Sequence, residues 1–125
     1  MLIFNHPLIK SPKFYKIKNI DDIIDTPPNS IILLSPLPHS IEIVKYCKKN
    51  LIPFAIETDS IKYAIFANIF KAKYIITSKE LAKELVPIAQ NYLFDTQIIA
   101  KIINEDEIEE MAKVGVDAVF IKNQK

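Results

Sequence analysis

A chain of 125 residues, half of them hydrophobic and a quarter charged, is one globular domain rather than a disordered or fibrous segment. The net charge of +1 gives no electrostatic case for nucleic acid or an anionic membrane, so neither is expected as a partner. All sixteen basic residues are lysine, which removes the side chain best suited to bidentate recognition of phosphate, carboxylate or guanine. The absence of arginine beside abundant Ile, Lys and Asn fits the AT-rich genome of a bacterium. Cys47 is the only cysteine, which excludes an internal disulfide and fits a reducing compartment. With no signal-peptide pattern and no apolar run near the ~18 residues of a membrane span, a cytoplasmic protein is expected.

In chain order, residues 1–4 read as a short edge strand. Residues 5–18 carry Pro7 and Pro12 without a clear period, as an arm would, and residues 14–17 could add a little strand. Residues 19–25 place Ile20, Ile23 and Ile24 on one face of a short helix stopped by Pro27 and Pro28. From residue 30 the pattern sharpens. Residues 31–34 are a buried strand, and Ser40 is the expected cap of a helix through Lys49, with Asn50 as a left-handed terminator. Residues 53–56 form the next strand, and Asp59 or Ser60 opens a helix with Ile61, Ala64, Ile65 and Ile69 along one side. Residues 74–77 are a third strand, followed by a helix capped by Ser78 and kinked or split at Pro87.

The clearest unit comes last. Residues 97–103 and 116–122 are strands apolar on both faces, as buried parallel strands are. Between them Asn104 and Glu107 make a capping box, Ile108, Met111 and Ala112 make an apolar stripe, and Gly115 stands where a left-handed helix terminator belongs. Strands and helices alternating at this spacing predict right-handed βαβ crossovers and a parallel sheet. The expected domain is single, with an arm over residues 1–29 and βα repeats over 30–125. It is a three-layer α/β sandwich with five parallel strands in the flavodoxin-like order 2-1-3-4-5.

Functional groups in such sheets gather beyond the carboxyl ends of the strands. Those ends offer His39, Glu57, Asp59, Ser78, Lys101 and Lys122 as ligand-binding candidates. Ser40, Ser60, Ser78 and Asn104 are also explained as helix caps, His39 as a loop residue, and Glu57 and Asp59 as solvated acids. Lys101 is the candidate catalytic residue, because a lysine inside an apolar strand is costly to bury unless paired. It could contact phosphate or form a Schiff base. One glycine leaves no phosphate loop or dinucleotide fingerprint, and there is neither a Cys/His zinc cluster nor a nucleophile elbow. No cofactor and no metal are expected.

Two family resemblances bear on these residues. In length and element order, residues 30–124 resemble a response-regulator receiver domain. AKYIITS at residues 72–78 is similar to that family's central strand, and AKVGVDAVFIK at 112–122 to its final helix and strand. The resemblance implies that Lys122 would contact a phosphoryl group. The family's acidic pair falls on Ser35 and Pro36, its phosphate-accepting aspartate on Thr77 or Ser78, its switch hydroxyl near Lys101 or Ile102, and its proline on Asn123. It therefore implies a degenerate receiver unable to take phosphate from a histidine kinase. Residues 98–120 are similar to a stretch of pyruvate-kinase-like and other phosphate-handling barrels, which implies an active-site lysine at Lys101 in a half-barrel.

Three functions are expected in descending order. The first is a non-catalytic interaction or regulatory domain, self-associating or binding a protein through a helix face with Tyr63, Phe66 and Phe70. The second is a small enzyme or phosphometabolite-binding protein using Lys101 with Glu57 or Asp59. Nucleic-acid binding comes last.

Overall fold

The computed structural model describes residues 1–122. Asn123, where the receiver resemblance meets the family's proline, lies outside the described residues. The chain runs β1 (Leu2–Phe4), β2 (Lys13–Lys16), a 3-10 helix (Ile20–Asp25), β3 (Ser30–Leu34), α1 (Ile41–Lys49) and β4 (Phe54–Glu57). It continues through α2 (Ile61–Ile69), β5 (Tyr74–Ser78), α3 (Lys79–Asn91), β6 (Gln97–Ile102), α4 (Glu107–Val114) and β7 (Ala118–Ile121).

Among the described residues, seven strands join one parallel sheet in the order β1-β7-β6-β5-β4-β3-β2. Parallel βα alternation and the α/β class are as expected, but five strands become seven among the described residues. Both short N-terminal stretches are strands, one at each edge. The flavodoxin-like order 2-1-3-4-5 is also replaced. From β2 to β7 each strand lies beside its predecessor and the winding never reverses. A right-handed crossover that keeps its direction keeps its helix on the same side of the sheet, so the helices form one layer and the sheet curls into a half-barrel.

The two faces consequently have different chemistry. Ile32, Leu34, Ile56, Ile75, Ile98, Ile102, Val119 and Ile121 point to the helices and pack with Val44, Cys47, Ala64, Leu85 and Met111. The concave face is filled by strand side chains alone: Phe4, Ile31, Ala55, Tyr74, Ile76, Ile99 and Ala118, with Phe14, Leu33 and Phe120 against them. Phe4 from β1 and Phe14 from β2 lie 5.1 Å apart between ring centroids, so the two edge strands meet through aromatic rings across the hollow. Tyr74 stands edge-on to both, at 5.5 and 6.0 Å, and Phe120 lies 6.0 Å from Phe14. These spacings are those of favourable tilted and T-shaped pairs.

Helix ends follow local chemistry with three corrections. Asn104 does not cap α4, whose cap position is Asp106; its side chain accepts the Asp106 N–H at 3.1 Å, and only the Glu107 half of the expected capping box forms, accepting the Asn104 N–H at 3.1 Å. Ser60 and Ser78 accept the Tyr63 and Leu81 N–H groups, both at 3.2 Å, as caps. Ser40 does not cap; its hydroxyl donates to the Ser35 carbonyl at 2.6 Å and ties the end of β3 to the start of α1. Asn50 has φ −98°, and the left-handed residue is its neighbour Leu51. Pro87 lies inside α3, which continues to Asn91 as one helix.

Leu51, Lys71 and Leu93 hold φ of 56°, 64° and 54° after α1, α2 and α3, and Gly115 holds 97° after α4. The next residues, Ile52, Ala72 and Phe94, turn back to donate to Cys47, Ala67 and Ala89 at 2.9, 3.0 and 2.9 Å. These are Schellman-type closures built on non-glycine residues, each costing about 1 kcal/mol in backbone strain. Because Leu93 is 83% exposed, Leu93→Gly relieves that strain without losing a buried side chain. A gain of about 0.5–1 kcal/mol in urea unfolding is expected. Gly115→Ala has room for its methyl, 3.5 Å from Gln90 and Val86, but not the backbone freedom, and should lose about 1 kcal/mol in the same measurement.

Candidate functional site

Side chains alternate along a strand, so the residues that continue the concave face at the carboxyl ends are Lys16, Glu57, Ser78, Lys101 and Lys122. Residues sharing this rim meet around two centres.

The first centre is Glu57. One carboxylate oxygen lies 3.3 Å from Lys16 Nζ and the other 3.7 Å from Lys101 Nζ. The Lys101 side chain is 31% exposed and that of Glu57 25%. Lys101 therefore does not extend into bulk water. Its stem lies beside Phe120, its register partner on β7, and its amine turns toward the carboxylate.

The second is a cavity of about 220 Å³. Ser78, Lys101 and Lys122 line it together with Lys79, Glu80, Ile102, Ile103 and Glu107. Ser78 caps α3, so the amino end of a thirteen-residue helix faces the same space and adds its positive dipole end to the lysines. Lys79 is neutralised by Glu107 at 2.8 Å and Glu110 at 3.3 Å, and Glu110 also holds Lys83 at 2.7 Å. Among the described residues, Lys122 has no ion-pair partner.

Four sequence candidates thus converge: Ser78, Lys101 and Lys122 around the cavity, with Glu57 beside Lys101. His39 and Asp59 do not join them. Both are exposed, and neither makes an ion pair among the described residues. The sequence reading passed over Lys16, because β2 was read as part of an arm. A signal for Lys16 existed: Phe14 and Lys16 repeat the apolar-then-charged order of Ala55 and Glu57 on β4.

A third cluster ties down the arm. His6 is 93% buried at its side chain, and its Nε2 bonds to the Glu105 carboxylate in the β6–α4 loop. The Leu8 N–H donates to His6 Nδ1 at 3.0 Å. Since Nδ1 accepts, the ring proton sits on Nε2, and the imidazole is a neutral donor to Glu105. Asn5 Nδ2 donates to the Ile121 carbonyl at 2.7 Å. With both ring nitrogens engaged, His6 is an anchor rather than a base.

Cys47 sits in the helix-side core with no exposed surface, and burial pushes its thiol up to about 11. At neutral pH it is not a nucleophile. Among the described residues no group of three His, Cys, Asp or Glu side chains could hold a metal ion. No helix there is long and apolar enough to cross a membrane.

Glu107 supplies a pH test. Hydrogen bonds from Lys79, then from the Ile103 and Asn104 N–H groups, lower its carboxyl from 4.5 to about 2. A carboxyl lowered on folding stabilises the native state above its unfolded value and loses that contribution as pH falls toward the folded one. Urea unfolding should therefore show stability declining from about pH 4.5 toward pH 2. Glu107→Gln should be less stable at pH 7 and show a shallower decline over that window. No protein-family model and no curated protein matches this chain, so the functional reading rests on the rim itself.

Proposed function

We propose that the protein binds a small anionic metabolite, phosphorylated or carboxylated, at the carboxyl rim of the half-barrel. The observation carrying this reading is the convergence of Lys101, Lys122 and the amino end of α3 on one cavity, with Lys101 held in place by Glu57. Lysine is a compact charge on a flexible stem, able to meet a tetrahedral anion without the planar fork of arginine. Glu57 keeps the Lys101 amine near the mouth before a ligand arrives, which reduces the ordering cost of binding.

Lys101 and Lys122 are the direct anion contacts, with the Ser78 hydroxyl and the first backbone N–H groups of α3 beside them. Lys16 and Glu57 are positioning residues for Lys101. A carbonyl-bearing ligand would place an electrophile within reach of the Lys101 amine, and this is where Schiff-base chemistry would begin if the site is catalytic.

Thermal-shift measurements with phosphorylated and carboxylated metabolites should raise the melting temperature. Lys101→Ala should abolish the shift, Lys122→Ala should weaken it, and His39→Ala should leave it unchanged. The binding constant should fall with added salt, as expected for a screened charge interaction. A full screen with no shift, or a shift that survives Lys101→Ala, rejects the reading.

A second reading, an interaction or regulatory domain, draws on α2. Ile65, Phe66 and Ile69 on that helix are partly exposed, with Phe66 at 42% and Ile69 at 58%. Tyr63 and Phe70 instead turn into the core that underlies the helix layer. Self-association through this face predicts a concentration-dependent mass in light scattering that Phe66→Lys removes. A constant monomer mass at high concentration rejects it.

A further inference from the structure

The segment between β1 and β2 carries the chain from one edge of the sheet to the other without a helix. It crosses the seam where Phe4 and Phe14 meet and is pinned at its start by Asn5 and His6. Beneath it lies a cavity of about 540 Å³, within the range that holds small organic ligands. Its apolar floor is Phe14 and Phe120, both only partly buried although both belong to the concave aromatic cluster.

The polar groups at this cavity are largely committed elsewhere. Asn5 Nδ2 is spent on Ile121, and the His6 ring on Glu105 and Leu8. What remains to a ligand is aromatic surface and the amines of Lys10 and Lys13, which make no ion pair among the described residues. Such a pocket recognises an apolar planar body by stacking and area, with an electrostatic preference for a negative ligand.

Phe120 connects this cavity to the rim. It is the register partner of Lys101 and lies two residues before Lys122, on the same face of the strand. Phe14 stands in the same relation to Lys16. Both floor rings therefore border a lysine of the anion site.

Resting on the anion-binding reading above, we infer that the ligand is an aromatic anion, its phosphate or carboxylate at Lys101 and Lys122 and its ring system over Phe120 beneath the arm. The two cavities are halves of one site, the rim supplying charge and the seam supplying apolar contact. Neither half alone accounts for both the uncovered rings and the converging amines.

Calorimetric titrations with 1-naphthyl phosphate, inorganic phosphate and 1-naphthol test the inference. Naphthyl phosphate should bind at least tenfold tighter than phosphate, and naphthol more weakly than naphthyl phosphate. Ser11→Trp, which fills the seam cavity, should erase the advantage over phosphate while leaving phosphate binding intact. Ile9→Trp fills it from another lining position and serves if Ser11→Trp fails to fold. Lys101→Ala should weaken both anions. Equal affinity for phosphate and naphthyl phosphate overturns the inference while leaving the anion site standing. So does an advantage that survives a folded cavity-filling variant. If neither anion binds, or if Lys101→Ala changes neither affinity, the anion site and the inference fall together.

Discussion

Everything in this molecule follows from crossovers that never change direction. A right-handed βαβ unit must lay its helix on one side of the sheet, and repeating the unit the same way lays every helix on that side. The other face then has no helix to cover it. A flat parallel sheet with a bare apolar face would expose far more hydrocarbon than a monomer tolerates. Curling removes that surface by turning the face in on itself. The edge strands β1 and β2 close the hollow by packing Phe4 and Phe14 against each other and against Tyr74 and Phe120.

The same constraint decides where polar chemistry can sit. Helix-side positions stay uncharged and buried to the ends of the strands, as Thr77, Ile102 and Ile121 are. Concave positions run out of partners at the carboxyl end, because the hollow opens there. That is where Glu57, Ser78, Lys101 and Lys122 replace hydrocarbon, one step beyond Ala55, Ile76, Ile99 and Phe120. The apolar plug and the charged rim are consecutive layers of one set of side chains, so the position of each rim residue depends on ring packing below it.

Much of this was legible in the residues. The βα alternation from residue 30, the caps at Ser60 and Ser78 and the left-handed Gly115 all obey local rules, and local rules survive folding. Strand order was not legible in the same way, since a crossover that reverses and one that continues use identical strands and helices. The discriminating signal was the difference between the two faces of each strand. On β4, β6 and β7 the helix-side face carries no charge, whereas the concave face ends in one, as in Ala55 then Glu57, Ile99 then Lys101 and Phe120 then Lys122. Lys16 escaped because β2 is four residues long with one inward ring, too short for a period to stand out. The Glu105 tie to His6 escaped because it spans 99 residues of sequence. Asn50 was passed over as left-handed terminator in favour of Leu51 because the Schellman geometry fixes which position turns, and residue preference only biases it.

Lys101 brings these levels together. An amine on an inward strand position would be expelled from a closed hydrophobic hollow. It is retained here because the hollow opens at its level, because Phe120 supports its stem, and because Glu57 supplies opposite charge within 3.7 Å. One carboxylate shared by Lys16 and Lys101 balances half of their combined charge, so the trio keeps a net positive charge, to which Lys122 adds. The surplus lies where the sheet places its open end, and the residues that hold Lys101 there also hold the rings beneath it.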